Sequence, residues 1–335
     1  MTIKRLLGIG ALLWVASLAH AQQQPIVIKF SHVAAPDAPK GLAVERFKKL
    51  AEEATKGRVR VEVYPNSQLY RDKEEIEALQ IGAVQMLAPA PGKFGPLGVK
   101  EFEVLDLPYL FDSMATAQKV TQGPVGQQLL KKLDTRGIAG LAFWDNGFRV
   151  FTSNKPIRRP EDLKGQKIRI QSSKVTEAQM RDVGALPQVL AFGELYQALQ
   201  SGVVDGQENP VTHVWTQKFY EVQKYMTLTN HTYHGYVVIA NKKFWDGLPE
   251  DIRKALNGAL KDTTAYFYAM AKAEDEAALE SVRKAGRTEI YTPTPAEMAE
   301  WKRAFSKVHQ EMEGRVGKEL IQAIYKETGN APKGP

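Results

Sequence analysis

Read from residue 26, the chain alternates between short apolar runs and helical periodicity. Ile26 to Phe30 (IVIKF) is a strand; Pro36 and Pro39 stiffen the loop that follows. Leu42, Val44, Phe47, Leu50 and Ala51 recur every three to four positions, which predicts a helix over Gly41 to Thr55. Gly57 ends it, and VRVEVY over Val59 to Tyr64 has the period of two of a half-buried strand. A helix over Lys73 to Ile81, closed by Gly82, and a short strand over Ala83 to Ala88 complete a βαβαβ unit, the signature of a parallel sheet. Pro89 to Gly98 reads as a loop. Leu105 to Phe111 is an apolar packing segment, Ala115 to Leu133 one helix and Gly137 to Trp144 a strand.

Asp145-Asn146-Gly147 is a turn signal, and the crossing into a second domain is placed there. Phe148 to Thr152 is then a strand, and 155–163 a proline-bearing loop. From Gly165 to Pro210 the pattern is strand, helix (Lys174 to Val183), strand (PQVLAF), helix (Glu194 to Ser201), strand. Val211 to Tyr220 is helical, and Met226 to Thr229 and Tyr236 to Ala240 are two further strands, the second returning to the first domain's sheet. Leu248-Pro249-Glu250-Asp251 starts a helix, with proline in the first turn and acids at the positive dipole end. Its apolar period runs to Ala285, about 55 Å at 1.5 Å per residue, longer than one domain is wide. Two helices over Pro295 to Lys326, with Trp301, Phe305 and Val308 inward, close the chain.

Ligands of parallel sheets sit beyond the carboxyl ends of the strands. Arg169 lies in the first strand of the Gly165–Pro210 unit, Phe192 just after the second and Asn209 just after the third. A cation, an aromatic face and an amide therefore converge on one mouth. A guanidinium offers two parallel donors to two carboxylate oxygens, so the guest these residues fit is a carboxylate.

The N-terminus adds a destination. Lys4 and Arg5, the apolar run Leu6 to Leu18, and Ala19-His20-Ala21 form a secretory signal peptide with cleavage expected after Ala21. The mature protein is expected in the periplasm. Of the 45 basic and 38 acidic residues the signal removes two basic ones, which leaves a net charge of +5. The charges are interspersed, so nothing forms a nucleic-acid stripe. The chain has no cysteine, which excludes thiol catalysis, disulfides and thiolate metal sites. The 314 mature residues suffice for two cores.

Several words carry a resemblance. GFR at 147–149, LKGQKIRI at 163–170, AFGELYQALQSGVVDGQENP at 191–210 and KFYEVQKY at 218–225, with YPNSQL at 64–69 and LPYLF at 107–111, are similar to the substrate-binding proteins of TRAP (tripartite ATP-independent periplasmic) transporters, DctP-type. The resemblance covers nearly all of the mature chain. It implies an α/β, two-lobed periplasmic binding protein fold with a long helix spanning both lobes. The lobes are expected at 22–146 plus about 235–274, and at 147–234 plus about 275–330. It also implies a monomeric receptor that closes over a small organic acid and delivers it to membrane subunits driven by an ion gradient, with no cofactor and no enzymatic activity. HVAAPDAPKG and QIGAVQMLAP resemble the C4-dicarboxylate branch (succinate, malate, fumarate). Other branches take lactate, keto acids, sugar acids or aromatic acids, and a ligand-sensing module could share the fold.

By the same resemblance, Arg169 forms the principal two-pronged bridge, Arg149 and Asn209 assist, and Phe192 lies against the ligand. Two buried arginines without acids would be costly, and an anionic ligand would relieve that cost. A dicarboxylate needs a second cationic end, for which Lys93, Lys40 and His32 are candidates, Lys93 first because it resembles a position of ligand contacts. The loop APAPGK lacks the serine common in the dicarboxylate branch. Tyr236 is a candidate for the pocket wall. His231-x-x-His234 has no third ligand, so no metal site is expected. Ser172-Ser173-Lys174 reads as a helix cap.

Overall fold

The computed structural model describes residues 24–331; the expected signal peptide and its cleavage after Ala21 lie outside them. In chain order the first elements are β1 (Ile26–Ser31), α1 (Pro39–Ala54), β2 (Val59–Tyr64), α2 (Glu75–Gln80) and β3 (Met86–Leu87). β1 pairs in parallel with β2 and β3, the expected unit. Helix α1 buries Ala43, Val44, Phe47 and Ala51 along one stripe, and proline at its first turn costs no hydrogen bond.

The stretch expected as one helix is two, α3 (Met114–Gln122) and α4 (Pro124–Lys132). Pro124 has no N–H to continue the first and clashes with the preceding turn, so Gly123 goes extended and Pro124 opens the second.

The largest departure follows. The turn expected at Asp145-Asn146-Gly147 is not a turn: Ile138–Ser153 is one strand, β4. It pairs antiparallel along its whole length with β8 (Tyr225–Asn241), which likewise joins the two separate strands expected there. The Asp-Asn-Gly signal instead makes a bulge, where the register skips between Asp145 and Gly147 and Gly147 takes φ +140°. One extra residue twists a paired strand without reversing it.

Between the two long strands in sequence lie β5 (Lys167–Ile170), α5 (Lys174–Asp182), β6 (Leu186–Val189), α6 (Leu195–Gln200), β7 (Gly206–Asn209) and α7 (Val211–Thr216). β5 is parallel to both β6 and β7, and β7 is antiparallel to β4. Ser173 caps α5 through its side chain, as expected. After β8 come α8 (Lys242–Asp246), α9 (Glu250–Ala285), the unforeseen β9 (Glu289–Tyr291) on β8, α10 (Pro295–Val316) and α11 (Lys318–Thr328). The sheet order is β2-β1-β3-β8-β4-β7-β5-β6, with β9 beside β8. The sheet is therefore mixed: two parallel units are joined through a pair of long antiparallel strands.

Helix α9 has 36 residues, about 54 Å. Ile252, Leu256, Leu260 and Phe267 join the core that holds Ile28, Phe47 and Trp144. Ala278 and Val282 join a different core, with Val150, Leu195 and Phe219. It thus crosses from one unit to the other and ends where Gly286 turns left-handed. The tail does the same in reverse. Trp301 and Phe305 pack with Ile168 and Ile170, whereas Val308, Met312, Ile321 and Ile324 pack with Leu129, Leu133 and Phe143. The cluster that takes Val308 to Ile324 also includes Val175 and Ala178 of α5. Among the described residues no helix is long and apolar enough to cross a membrane.

Candidate functional site: a charged cleft between the two units

Strand β5 exposes Arg169 to the cleft while Ile168 and Ile170 point into the core below, the alternation a strand imposes. The guanidinium folds onto the end of β6: Nε (3.0 Å) and Nη2 (2.7 Å) both donate to the Leu190 carbonyl. It stands 5.8 Å from the centre of the Phe192 ring. Nη1 has no hydrogen-bond partner among the described residues. Asn209 ends β7. Its amide nitrogen donates to Gln207 (2.6 Å), so its oxygen faces His213 Nδ1 (3.2 Å). His213 Nε2 in turn meets the Tyr236 hydroxyl at 2.8 Å.

From the first unit, Lys40 on α1 lies 4.1 Å from the centre of the Tyr236 ring and donates to the Ala88 carbonyl at 3.1 Å. Burial lowers its pKa to about 8, although Glu75 pulls the other way. No carboxylate reaches it within ion-pairing distance among the described residues. Lys93, on a single 3-10 turn over Pro91–Phe94, is differently placed. It is ion-paired to Asp72 and, at 3.0 Å, to Glu75. Burial opposes its charge, but those two acids outweigh it and raise its pKa.

Asp72 joins the two sides. One carboxylate oxygen pairs with Lys93; the other accepts from the Phe192 backbone N–H (2.8 Å) and lies 3.8 Å from Arg169 Nη2. Burial pushes its carboxyl up, but Lys93 and Arg169 more than offset this and hold it at about 2.

Six of the eight expected residues, Arg169, Asn209, Phe192, Lys93, Lys40 and Tyr236, line one cavity, together with Asp72, Gln171, His213 and His234. Arg149 and His32 are not in that wall. Arg149 is buried behind it, donating to Glu208 Oε1 (2.8 Å), the Glu208 carbonyl (3.2 Å) and His234 Nδ1 (2.7 Å). His32 is buried with both ring nitrogens unbonded, and burial holds it neutral at about 3. The supposition that the two arginines lack acids is corrected: Glu208 answers Arg149 and Asp72 answers Arg169. Glu208 belongs to the word DGQENP at 205–210. The strand that carries it, Gly206–Asn209, has no apolar residue and is nonetheless buried at every position. Asp72 lies in the charged run RDKEE, and the local sequence marks neither acid.

The paired histidines separate. His231 stacks on Phe151 at 4.2 Å, while His234 packs against His213 and Tyr236 at the cleft. No group of three His, Cys, Asp or Glu side chains that could hold a metal occurs among the described residues.

Two α/β units on a shared sheet, bridged by a long helix, with cations facing a cleft between them, define a two-lobed binding protein. The family is equally plain: residues 30–315 match the model of the bacterial extracellular solute-binding proteins, family 7 (DctP), and the chain belongs to that family. It is 56% identical to the C4-dicarboxylate-binding periplasmic protein DctP of Rhodobacter capsulatus, over 97% of this chain and 98% of that one. A TRAP periplasmic solute-binding protein of Shewanella oneidensis, solved with bound succinate, is 38% identical and superposes with a TM-score of 0.89 over 91% of this chain and 99% of its own. One from Pseudomonas aeruginosa, solved with bound L-malate, is 39% identical with a TM-score of 0.84, over 86% and 100%. The family is one of solute-binding proteins, not an enzyme class.

Proposed function

We propose that this chain is the extracytoplasmic receptor of a TRAP transporter and captures a C4-dicarboxylate, such as succinate, malate or fumarate, between its lobes. The observation that carries the reading is Arg169. It is buried at a strand end in the wall of the cavity, tied through two of its nitrogens to one carbonyl, with no hydrogen bond to its Nη1 among the described residues. A carboxylate there completes a charge-assisted contact that neither Leu190 nor the more distant Asp72 supplies. Asn209 and Phe192 flank it. Lys40 meets the second carboxylate in preference to Lys93, because Lys93 is already neutralised by two acids. The relative from R. capsulatus and the succinate- and malate-bound structures support the choice of a four-carbon diacid.

The lobes are taken as 24–146 with 235–274 and the tail from about 307, and as 147–234 with about 275–306. Two features support this division. The paired strands change unit at Asp145↔Gly235 and Gly147↔His234, and α9 changes core between Ala271 and Ala278. Hinge closure about that bulge brings the walls together. The mature protein is a monomer starting at Gln22; intact-mass measurement and light scattering on periplasmic extract check both.

The test is calorimetric titration with a panel of acids. Succinate, malate and fumarate are expected to bind at least about tenfold tighter than lactate, galactonate or orotate. A sugar acid or monoacid binding tighter than every C4 diacid overturns the substrate class.

A further inference from the structure

His234 sits where an acceptor is demanded on one side and a donor is left over on the other. Its Nδ1 lies 2.7 Å from Arg149 Nη2. An arginine in a protein stays protonated and has only donors, so Nδ1 must accept. In the neutral ring the proton is then on Nε2. The ring is neutral: burial, reinforced by Arg149, lowers its pKa well below the ordinary value. Nε2 is fully buried and has no hydrogen-bond partner among the described residues. A buried unpaired N–H is costly and calls for a reason. Among the described residues three imidazoles carry such an orphan nitrogen, those of His32, His231 and His234. His234 alone of the three lines the cavity that Arg169, Asn209 and Lys40 share.

We infer that His234 is a ligand-binding residue whose Nε2–H donates to a carboxylate oxygen of the bound anion, and that Arg149 positions it by fixing the tautomer. This rests on the reading of the cleft as an organic-acid site. It also gives Arg149 a definite part without a seat in the cavity wall. Glu208 orients the guanidinium, the guanidinium holds Nδ1, and the far edge of the ring is left as a neutral donor. Such a donor adds no charge, so it complements an anion already balanced by Arg169 and Lys40. It also discriminates against a ligand with an N–H or apolar group at that point, which leaves the imidazole unpaired.

Two side chains separate this role from a purely structural one. In His234→Asn the amide oxygen can take the place of Nδ1 and accept from Arg149, but nothing reaches the Nε2 position. In His234→Gln the longer amide reaches it. Succinate titration is expected to show a loss of roughly ten- to a hundredfold in affinity for His234→Asn and a clearly smaller loss for His234→Gln. Unchanged affinity in His234→Asn, or equal losses in both, overturns the assignment. Imidazole 1H–15N correlation on the wild type supplies a reading that needs no variant. The His234 proton is expected on Nε2, moving downfield on addition of succinate; a proton on Nδ1, or no movement on saturation, overturns it. Wild-type protein that binds no acid at all is a different result, since it removes the organic-acid reading itself.

Discussion

Strand β7 has a buried arginine on either side, Arg149 on β4 and Arg169 on β5, and the two are equally inaccessible. Their surroundings differ. Arg149 is bound by a carboxylate oxygen, a carbonyl and an imidazole nitrogen, all in its own lobe. Arg169 has one carbonyl of its own lobe, a distant carboxylate from the other, and no hydrogen bond to its Nη1 among the described residues. Arg149 is not fully satisfied, since its Nε is buried without a hydrogen-bond partner among the described residues; what separates it from Arg169 is a carboxylate at 2.8 Å against one at 3.8 Å. A buried cation closely paired within its own lobe is structure; one whose carboxylate is distant and comes from across a moving boundary is a site. Burial and charge alone cannot separate the two.

The largest expected effects break this pair apart. Arg149→Ala strands the Glu208 carboxylate in the core and is expected to cost about 3–5 kcal/mol of folding stability, read by urea denaturation. Arg169→Ala leaves the bound carboxylate unpaired and is expected to cost about 3–5 kcal/mol of succinate binding, roughly a hundred- to a few thousandfold in Kd. Its folding stability should fall by less than that of Arg149→Ala. Should the two variants exchange these outcomes, the division between the closely and the distantly paired arginine is wrong.

A smaller contrast lies on the opposite wall, between Lys93 and Lys40. Lys93→Met leaves buried Glu75 without its ion pair and Asp72 with only the Arg169 guanidinium 3.8 Å away, so stability is expected to fall by about 3 kcal/mol, with mono- and diacid affinities lowered together. Lys40→Met removes a cation with no carboxylate of its own. It is expected to weaken succinate by about tenfold or more and lactate hardly at all. Calorimetry with both acids on both variants decides. Selective loss of the diacid in Lys93→Met, rather than in Lys40→Met, would restore Lys93 as the far-end cation.

How much of this the sequence disclosed follows from the range of each signal. Local periodicity located α1, α5 and α9 and the parallel strands, because an amphipathic stripe is written within a single element. It broke Ile138–Ser153 at Asp145-Asn146-Gly147, because a bulge and a turn use the same residues and only the partner strand decides between them. The strand-end rule placed Arg169, Phe192 and Asn209 on the cleft. Arg149, expected only from the resemblance, is on a neighbouring strand but is not among the residues that line the cavity. Asp72 and Glu208 were missed because a carboxylate that pairs across 97 or 59 positions looks, in its own neighbourhood, like any solvated acid. Long-range pairing of charges is what the chain's local order does not record.

The finest test of the contrast between paired and unpaired cations uses pH. Lys40 titrates at about 8 in the folded protein against an ordinary 10.5, with Glu75, Lys93 and Asp72 as its charged neighbours. Folding therefore works against its proton: between about pH 8 and 10.5 the unfolded chain holds more of it, so this group's contribution to stability rises with pH there and is lost as pH falls toward 8. Binding has the opposite sign. The charged ammonium is the form a carboxylate wants, so succinate affinity should be steady below pH 8 and fall above it, by up to about tenfold per unit. Asp106, pushed up to about 7 chiefly by burial, gains a negative charge near Gln171 over a lower range. The two causes are told apart by Lys40→Arg, which keeps its charge throughout. That variant is expected to abolish the decline between pH 8 and 9 and leave any change around pH 7 in place. Titrations at pH 6.5, 8 and 9 suffice, and a decline above pH 8 that persists in Lys40→Arg would assign it to another group.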